Sequence, residues 1–136
     1  MYQTIVVPVD VGNADRASIM LETAQRLGDN KAKIILTNIV EEIPLYIVDV
    51  IPGGYVEKAK SNAIAELTRI AESAALDAEI EVRTGHASQG ILAVADEKKA
   101  NAIIIASHRP GFEDYFLGST ASRIVRHAKC SVVVIR

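Results

Sequence analysis

The sequence predicts an α/β domain in which four helices cover both faces of a five-stranded parallel sheet of strand order 3-2-1-4-5. Its apolar runs are short, rich in Val and Ile and nearly uninterrupted, which is typical of parallel strands buried on both faces. Between these runs lie segments whose apolar residues recur every three or four positions, as in amphipathic helices. This alternation of strands and helices favours right-handed crossovers between parallel strands.

Length and composition narrow the class of protein. The 136 residues predict a single domain over residues 1–136, and the net charge of −2, with 24% charged residues, is ordinary for a globular protein. A nucleic-acid partner is not expected, because the chain has no basic excess. No apolar run is long enough to cross a membrane, and the N-terminal stretch is too short and too uncharged for a signal peptide. The single cysteine, Cys130, excludes an intrachain disulfide, so we expect a reducing, cytoplasmic location.

Five segments are predicted to be strands. Four of them are almost continuously apolar and are expected in the buried part of the sheet or along its last edge: residues 5–9, 34–40, 103–106 and 132–135. The remaining segment, residues 78–84, alternates charged with apolar residues, which indicates an edge strand with one face in water.

Four segments between the strands are predicted to be helices. They run from Ala17 to a C-cap at Gly28, over residues 57–76, around Ile91 after an N-cap at Ser88, and from Ser119 onward. Residues 41–54 contain two prolines and two adjacent glycines without a clear period, and we expect an irregular, mobile connection there.

Several polar residues follow the predicted strands at one edge of the sheet. Ligands of open α/β sheets bind beyond the carboxyl ends of the strands, at the point where the strand order reverses. In this chain that point brings together Asp10 after the first strand, the second strand near Ile39, and Ser107-His108-Arg109 after the fourth. Asp10 suits a ribose hydroxyl or a magnesium ion, and Arg109 suits phosphate oxygens.

The fourth helix is predicted to begin beside these strand ends, at Gly118-Ser119-Thr120. The free N–H groups and the positive dipole end of a helix start favour an anion, and the two hydroxyls add donors. Taken alone, Ser119 is more simply an N-cap and Arg109 a solvated side chain. Their convergence at one crevice favours a site for an anionic ligand.

Three segments of the chain resemble a known family. They are Ile-Val-Val-Pro-Val-Asp at residues 5–10, the run from Ala106-Ser107-His108 to Ala128 through Gly118-Ser119-Thr120, and residues 130–136. Together they resemble the universal stress protein family, and the C-terminal third is similar to small bacterial members that carry an "ASHRP…LGS…VRHA.CSV" run. The resemblance implies a Rossmann-like domain, of the type found in adenine nucleotide alpha hydrolases, that forms dimers and binds ATP in its nucleotide-binding members.

The resemblance also implies a set of ligand contacts. Nucleotide-binding members carry Gly-x2-Gly-x9-Gly-[Ser/Thr]; here Ala106 stands at the first glycine, Arg109 near the second, and Gly118-Ser119 match the last element. Backbone at Ile39 is expected to meet the adenine. Strand ends, helix start and resemblance together give the expected ligand contacts, with Asp10 also the candidate magnesium ligand: Pro8, Val9, Asp10, Ile39, Ala106, His108, Arg109, Gly118, Ser119 and Thr120.

Three functions remain open from the sequence. The first is binding of ATP with magnesium as a regulatory or sensing ligand in a stress response. The second is slow ATP hydrolysis or autophosphorylation at Ser119 or Thr120, although the chain has none of the common phosphate-transfer motifs. The third is a dimeric interaction protein that has lost nucleotide binding with the replaced glycines. Because Gly118-Ser119 is retained, the sequence favours binding.

The last predicted strand indicates how copies of the chain would associate. In the order 3-2-1-4-5 it lies at an edge of the sheet, and an apolar edge strand invites pairing with another chain. We therefore expect a homodimer through the symmetric, antiparallel pairing of Val132, Val133, Val134 and Ile135.

Overall fold

The computed structural model describes residues 1–12, 14–107 and 117–136. Five strands are present among them: β1 (Tyr2–Pro8), β2 (Gly28–Glu41), β3 (Glu79–Gly85), β4 (Ala102–Ala106) and β5 (Ser131–Ile135). All neighbouring strands pair in parallel, in the order β3-β2-β1-β4-β5. The α-helices are α1 (Ala17–Leu27), α2 (Tyr55–Ser73), α3 (Ala87–Glu97) and α4 (Ser119–His127). This arrangement confirms the predicted fold class.

The core consists of two apolar layers on opposite faces of the sheet. Ile5 and Val7 of β1 pack against α1 and α2, while Val6 between them packs against α3 and α4. All three side chains are fully buried, and each contributes about 1.5–3 kcal/mol relative to exposure. Burial on both faces is the physical reason for the uninterrupted apolar runs.

The β3 strand forms one edge of the sheet, as its alternating pattern predicts. Ile80 and Val82 pack toward α2, and the charged residues between them face the side of α3. There the Lys98 ammonium donates to Glu79 at 2.7 Å, and this hydrogen bond holds the pKa of Glu79 below its ordinary value. Arg83 pairs with a glutamate at the end of α3. The charged face is therefore tied to the helix next to it.

The guanidinium of Arg83, on β3, forms ion pairs with two carboxylates. It donates to Glu81 at 3.0 Å and to both oxygens of Glu97. The hydrogen bond from Arg83 lowers the pKa of Glu97, and the same bond raises the pKa of Arg83. This ion-pair network fastens the exposed edge strand to the end of α3.

One predicted helix end differs from the structure, and another is confirmed. The N-cap of α3 is His86, and Ser88 lies buried inside the helix, so the prediction of Ser88 as the cap is wrong. Gly85, just before the cap, has a φ of +148°, a backbone conformation that glycine adopts readily. The chain therefore turns there, and the helix begins before Ser88. Gly28 is the C-cap of α1, as predicted; its backbone is extended and begins β2 directly. A Cβ at Gly28 would lie 2.7 Å from the Cβ of Ala32, so close packing requires glycine there.

The connection between β2 and α2 is more regular than the sequence predicts. Leu45–Val50 form a six-residue 3₁₀ helix after Pro44, whose carbonyl accepts the N–H of Ile47 at 3.0 Å. No residue of this helix is buried, and Leu45 and Tyr46 are 89% and 88% exposed. The segment is thus ordered locally and makes little contact with the core.

Candidate functional site

A cavity of about 900 Å³ opens beyond the carboxyl ends of β1, β2 and β4. It forms because the chain leaves β1 toward α1 on one face of the sheet and leaves β4 toward α4 on the other. The volume lies near the top of the range of about 300–1,000 Å³ found for small-molecule sites. The cavity occupies the place where the strand order predicts a ligand.

Most of the residues predicted for the site line this one cavity. They are Pro8, Val9, Asp10, Ile39, Ala106, Gly118, Ser119 and Thr120. His108 and Arg109, also predicted, lie outside the described residues. The structure therefore brings together three separate strand ends and the start of α4, as the sequence predicts.

The apolar part of the cavity is held rigidly by hydrogen bonds at the end of β1. The N–H of Val9 donates to the carbonyl of Thr37 at 2.9 Å, and the side-chain amide of Asn38 donates to the carbonyl of Val9 at 2.8 Å. Both backbone groups of Val9 are thus satisfied, and its side chain is only 2% exposed. Beside it, Ile39 packs against Gly90 of α3, where a Cβ would come within 2.6 Å of the Ile39 Cδ1. The close approach of α3 fixes the position of Ile39.

Asp10 is exposed where the chain leaves β1. One of its carboxylate oxygens accepts the N–H of Gly12 at 3.1 Å, which orients the side chain across the turn. Within residues 1–12, 14–107 and 117–136, no three acidic, histidine or cysteine side chains form a metal-binding cluster. Asp10 suits a magnesium ion that takes its other ligands from phosphate and water, since Mg²⁺ is commonly held by one or two carboxylates and substrate phosphates.

The start of α4 lines the cavity with backbone N–H groups and two hydroxyls. Its N-cap is Gly118, with φ −62° and ψ 163°, and no side chain in the described part of the molecule caps it. Ser119 is therefore the first helical residue rather than the N-cap, and the Ser119 and Thr120 side chains are exposed. No described residue accepts the N–H groups of the first helical residues, as expected at a helix start. These donors and the helix dipole favour a negatively charged ligand group.

Sequence reasoning missed several residues of the cavity wall. Thr37 interrupts the apolar run of β2 beside Asn38, and that interruption is a signal of its role. Arg16 and Glu41 also line the cavity, but neither has a comparable signal. Arg16 follows a loop, and the length of a loop does not determine where its end lies in space.

A smaller cavity of about 270 Å³ lies near the amino end of β4, between the C-terminal ends of α3 and α4. Cys130 lines it and is half-buried, as a small packed side chain. Burial, followed by the nearby charge of Asp96, raises the pKa of the Cys130 thiol. The thiol is consequently less reactive than a free cysteine.

Among the helices of the described residues, none combines the length and the apolar character that crossing a membrane requires.

The fold and the cavity together define an open α/β protein with a ligand-sized crevice at its switch point. The chain belongs to the universal stress protein family, whose family model matches residues 1–136. This match confirms the resemblance noted in the sequence. Universal stress protein G from Escherichia coli O157:H7 is 26% identical over 144 residues, which cover all of both chains.

Solved structures of the family have the same fold. The universal stress protein UspA from Lactobacillus plantarum is 23% identical, with a TM-score of 0.74 over 99% of this chain and 98% of its own. A universal stress protein from Archaeoglobus fulgidus, solved in complex with dAMP, is 22% identical, with a TM-score of 0.63 over 99% of this chain and 98% of its own. Another universal stress protein, solved in complex with cAMP, is 22% identical, with a TM-score of 0.65 over 99% of this chain and 97% of its own.

Proposed function

We propose that this protein binds an adenine nucleotide, ATP with magnesium, in the cavity beyond β1, β2 and β4, as a regulatory ligand in a cytoplasmic stress response. The observation that carries the proposal is the geometry of one cavity, which is lined both by a buried apolar wall and by the start of α4, whose first N–H groups bond to no described residue. The dAMP and cAMP complexes of two family members add support. The whole chain is proposed to act as one domain.

The chemistry of the wall suggests how the ligand would lie. Val9 and Ile39 offer an apolar surface for adenine, and the carboxylate of Asp10 suits a ribose hydroxyl or a magnesium ion. Phosphate oxygens would accept from the N–H groups and hydroxyls of Ser119 and Thr120. Glu41 ends β2 and lines the same cavity, shortly before the exposed 3₁₀ helix at Leu45–Val50, so occupancy of the site can change the surface that the protein presents.

Isothermal titration calorimetry with ATP and magnesium tests the proposal on the wild type and on Ser119→Asp. The substitution puts a negative charge where the phosphates would lie. Asp in the first turn of a helix is itself favourable by about 0.3–1 kcal/mol, so the variant should be as stable as the wild type or slightly more stable. Ser61→Asp, exposed in the middle of α2, changes the charge equally and is the matched control.

We expect binding by the wild type and Ser61→Asp, and a loss of about tenfold or more in Ser119→Asp without a lower melting temperature. Equal affinity in all three proteins would place the ligand elsewhere. If the wild type gives neither heat nor a thermal shift with ATP, the proposal is wrong, and the dimeric interaction protein without nucleotide takes its place.

Slow phosphoryl transfer to Ser119 or Thr120 is a second candidate, because both side chains are exposed and line the cavity. Incubation with γ-labelled ATP followed by peptide mapping tests it. Label at either residue that Asp10→Asn abolishes would support an autokinase. An unlabelled protein that still binds ATP would leave ligand binding as the function.

We further propose a homodimer through β5. Within the described part of the chain the strand has one neighbour, β4, and no described residue pairs with its other edge. Backbone groups of Ser131 and Ile135 bond to residues that flank β4, at 3.2 and 2.8 Å. Because these directions alternate along a strand, the Val134 N–H points to the free edge and the Val133 N–H points to β4.

Val134→Pro therefore tests the dimer, since proline is tolerated on an edge strand whose N–H faces outward. Sedimentation at micromolar concentration should give a dimeric mass for the wild type and a monomeric mass for Val134→Pro, with the circular dichroism spectrum unchanged. Val133→Pro is the contrasting control: it should lower the melting temperature because it removes a bond within the sheet. A monomeric wild type, or a dimer that survives Val134→Pro, would refute the interface.

A further inference from the structure

Arg16 is the one cationic side chain among the described residues of the cavity wall. It is the N-cap of α1, and its carbonyl accepts the N–H of Met20 at 3.1 Å, so the backbone of Arg16 is fixed to the helix. The residue is half-buried, and none of the ion pairs formed within residues 1–12, 14–107 and 117–136 includes its guanidinium. A cation held at a ligand-sized cavity without a described carboxylate partner is available to an anionic ligand.

Arg16 and the start of α4 line the cavity from opposite faces of the sheet. Ala17, next to Arg16, packs into the core layer of α1 and α2, whereas Ala121 of α4 packs into the layer on the other face of the sheet. A single phosphate that is bound by the first turn of α4 contacts only the donors of that helix. A chain of two or three phosphates can also approach the opposite wall, where its additional charge meets the guanidinium.

The charges that line the cavity suggest how a contact between Arg16 and the outer phosphates would select among nucleotides. Asp10 and Glu41 place two carboxylates along the cavity, and both disfavour additional negative charge on a ligand. Arg16 opposes that repulsion. Its effect should therefore increase with the number of phosphates, while the apolar contacts to the base stay the same.

We propose that Arg16 is a specificity-determining residue that pairs with the outer phosphates and makes the site prefer adenosine di- and triphosphates over the monophosphate. The inference rests on the proposed function, because it concerns the ligand of the same cavity.

Calorimetry of ATP and AMP binding tests this inference on the wild type, Arg16→Gln, Arg16→Lys and Arg26→Gln. Arg26 lies at the far end of α1 in an exposed pair with Glu22, so Arg26→Gln removes the same charge away from the cavity. We expect Arg16→Gln to weaken ATP binding about tenfold, the factor of a charge-assisted hydrogen bond at a partly exposed site, and to leave AMP binding within about twofold of the wild type. Arg16→Lys should restore most of the ATP affinity, which a merely structural role of the side chain would not predict.

Each outcome separates this inference from the proposed function. If the wild type binds nucleotide but Arg16→Gln leaves the ratio of ATP to AMP affinity unchanged, the inference is refuted and the proposed function stands. A parallel loss of both affinities, or an equal loss in Arg26→Gln, also refutes it. If the wild type binds neither nucleotide, both the proposed function and the inference are wrong.

Discussion

Gly118 offers the sharpest test of how closely a ligand approaches α4. Its φ of −62° and ψ of 163° are open to any residue, so the backbone does not require glycine there. Among the described residues, a Cβ built at this position meets only the carbonyl oxygen of Ser107, at 3.7 Å, which is an ordinary contact. The described structure therefore accepts Gly118→Ala, and any strong effect of the substitution must come from a ligand.

The expected cost to stability is small. Ala is a poorer N-cap than Gly by several tenths of a kcal/mol to about 1 kcal/mol, and the reduced freedom of the unfolded chain returns about 0.4–1 kcal/mol. The net change should lie within about 0.5 kcal/mol, or about 3 °C in melting temperature. A phosphate oxygen about 2.9 Å from the Ser119 nitrogen would crowd the new methyl group. Overpacking of that kind costs about 1–3 kcal/mol, which weakens binding by about fivefold or more.

Thermal melting without ligand and calorimetry with ATP measure the two quantities separately. Gly53→Ala is the control, because a Cβ at Gly53 meets nothing within 4 Å. Unchanged affinity in Gly118→Ala, with wild-type stability, would refute the close approach of phosphate to this helix start. A large fall in melting temperature without ligand would refute the packing argument instead.

Three further predictions follow from the structure. Gly90→Ala should lower the free energy of unfolding by about 1–3 kcal/mol and weaken nucleotide binding, because the new Cβ would displace the Ile39 side chain of the cavity wall. Equal melting temperatures for Gly90→Ala and Gly53→Ala would contradict this prediction. Hydrogen bonds from neighbouring cations lower the pKa values of Glu79 and Glu97, so their contribution to stability is complete above about pH 4.5 and is lost as the pH falls through the lowered values. Urea unfolding from pH 3 to 7 should show that loss on the acid side, and a Glu79→Gln/Glu97→Gln variant should lose less stability over the same range. Limited proteolysis should cut within residues 42–54 more slowly when ATP and magnesium are present, whereas identical cleavage rates would separate that segment from the site.

Much of the site could be predicted from the sequence because its signals are local. The apolar run before Asp10 marks the end of a strand, and the residues at Gly118 mark the start of a helix. Both signals lie in a few adjacent residues and require no knowledge of tertiary contacts. Strand order then places those ends at one edge of the sheet. The structure confirms that α4 begins at Ser119. The pattern alone does not decide that Gly118 rather than Ser119 is the N-cap, because both residue types are common at that position.

The sequence by itself determined the alternation of strands and helices, the two-sided burial of the central strands and the edge at which a ligand would bind, because apolar periodicity reports burial directly. The tertiary structure alone decided that Arg16 reaches the cavity and that Gly90 lets α3 approach Ile39. Those facts depend on the path of a loop and on the distance between two elements far apart in the chain. Neither leaves a periodic trace in the sequence, since such distances arise only when the separate elements pack together.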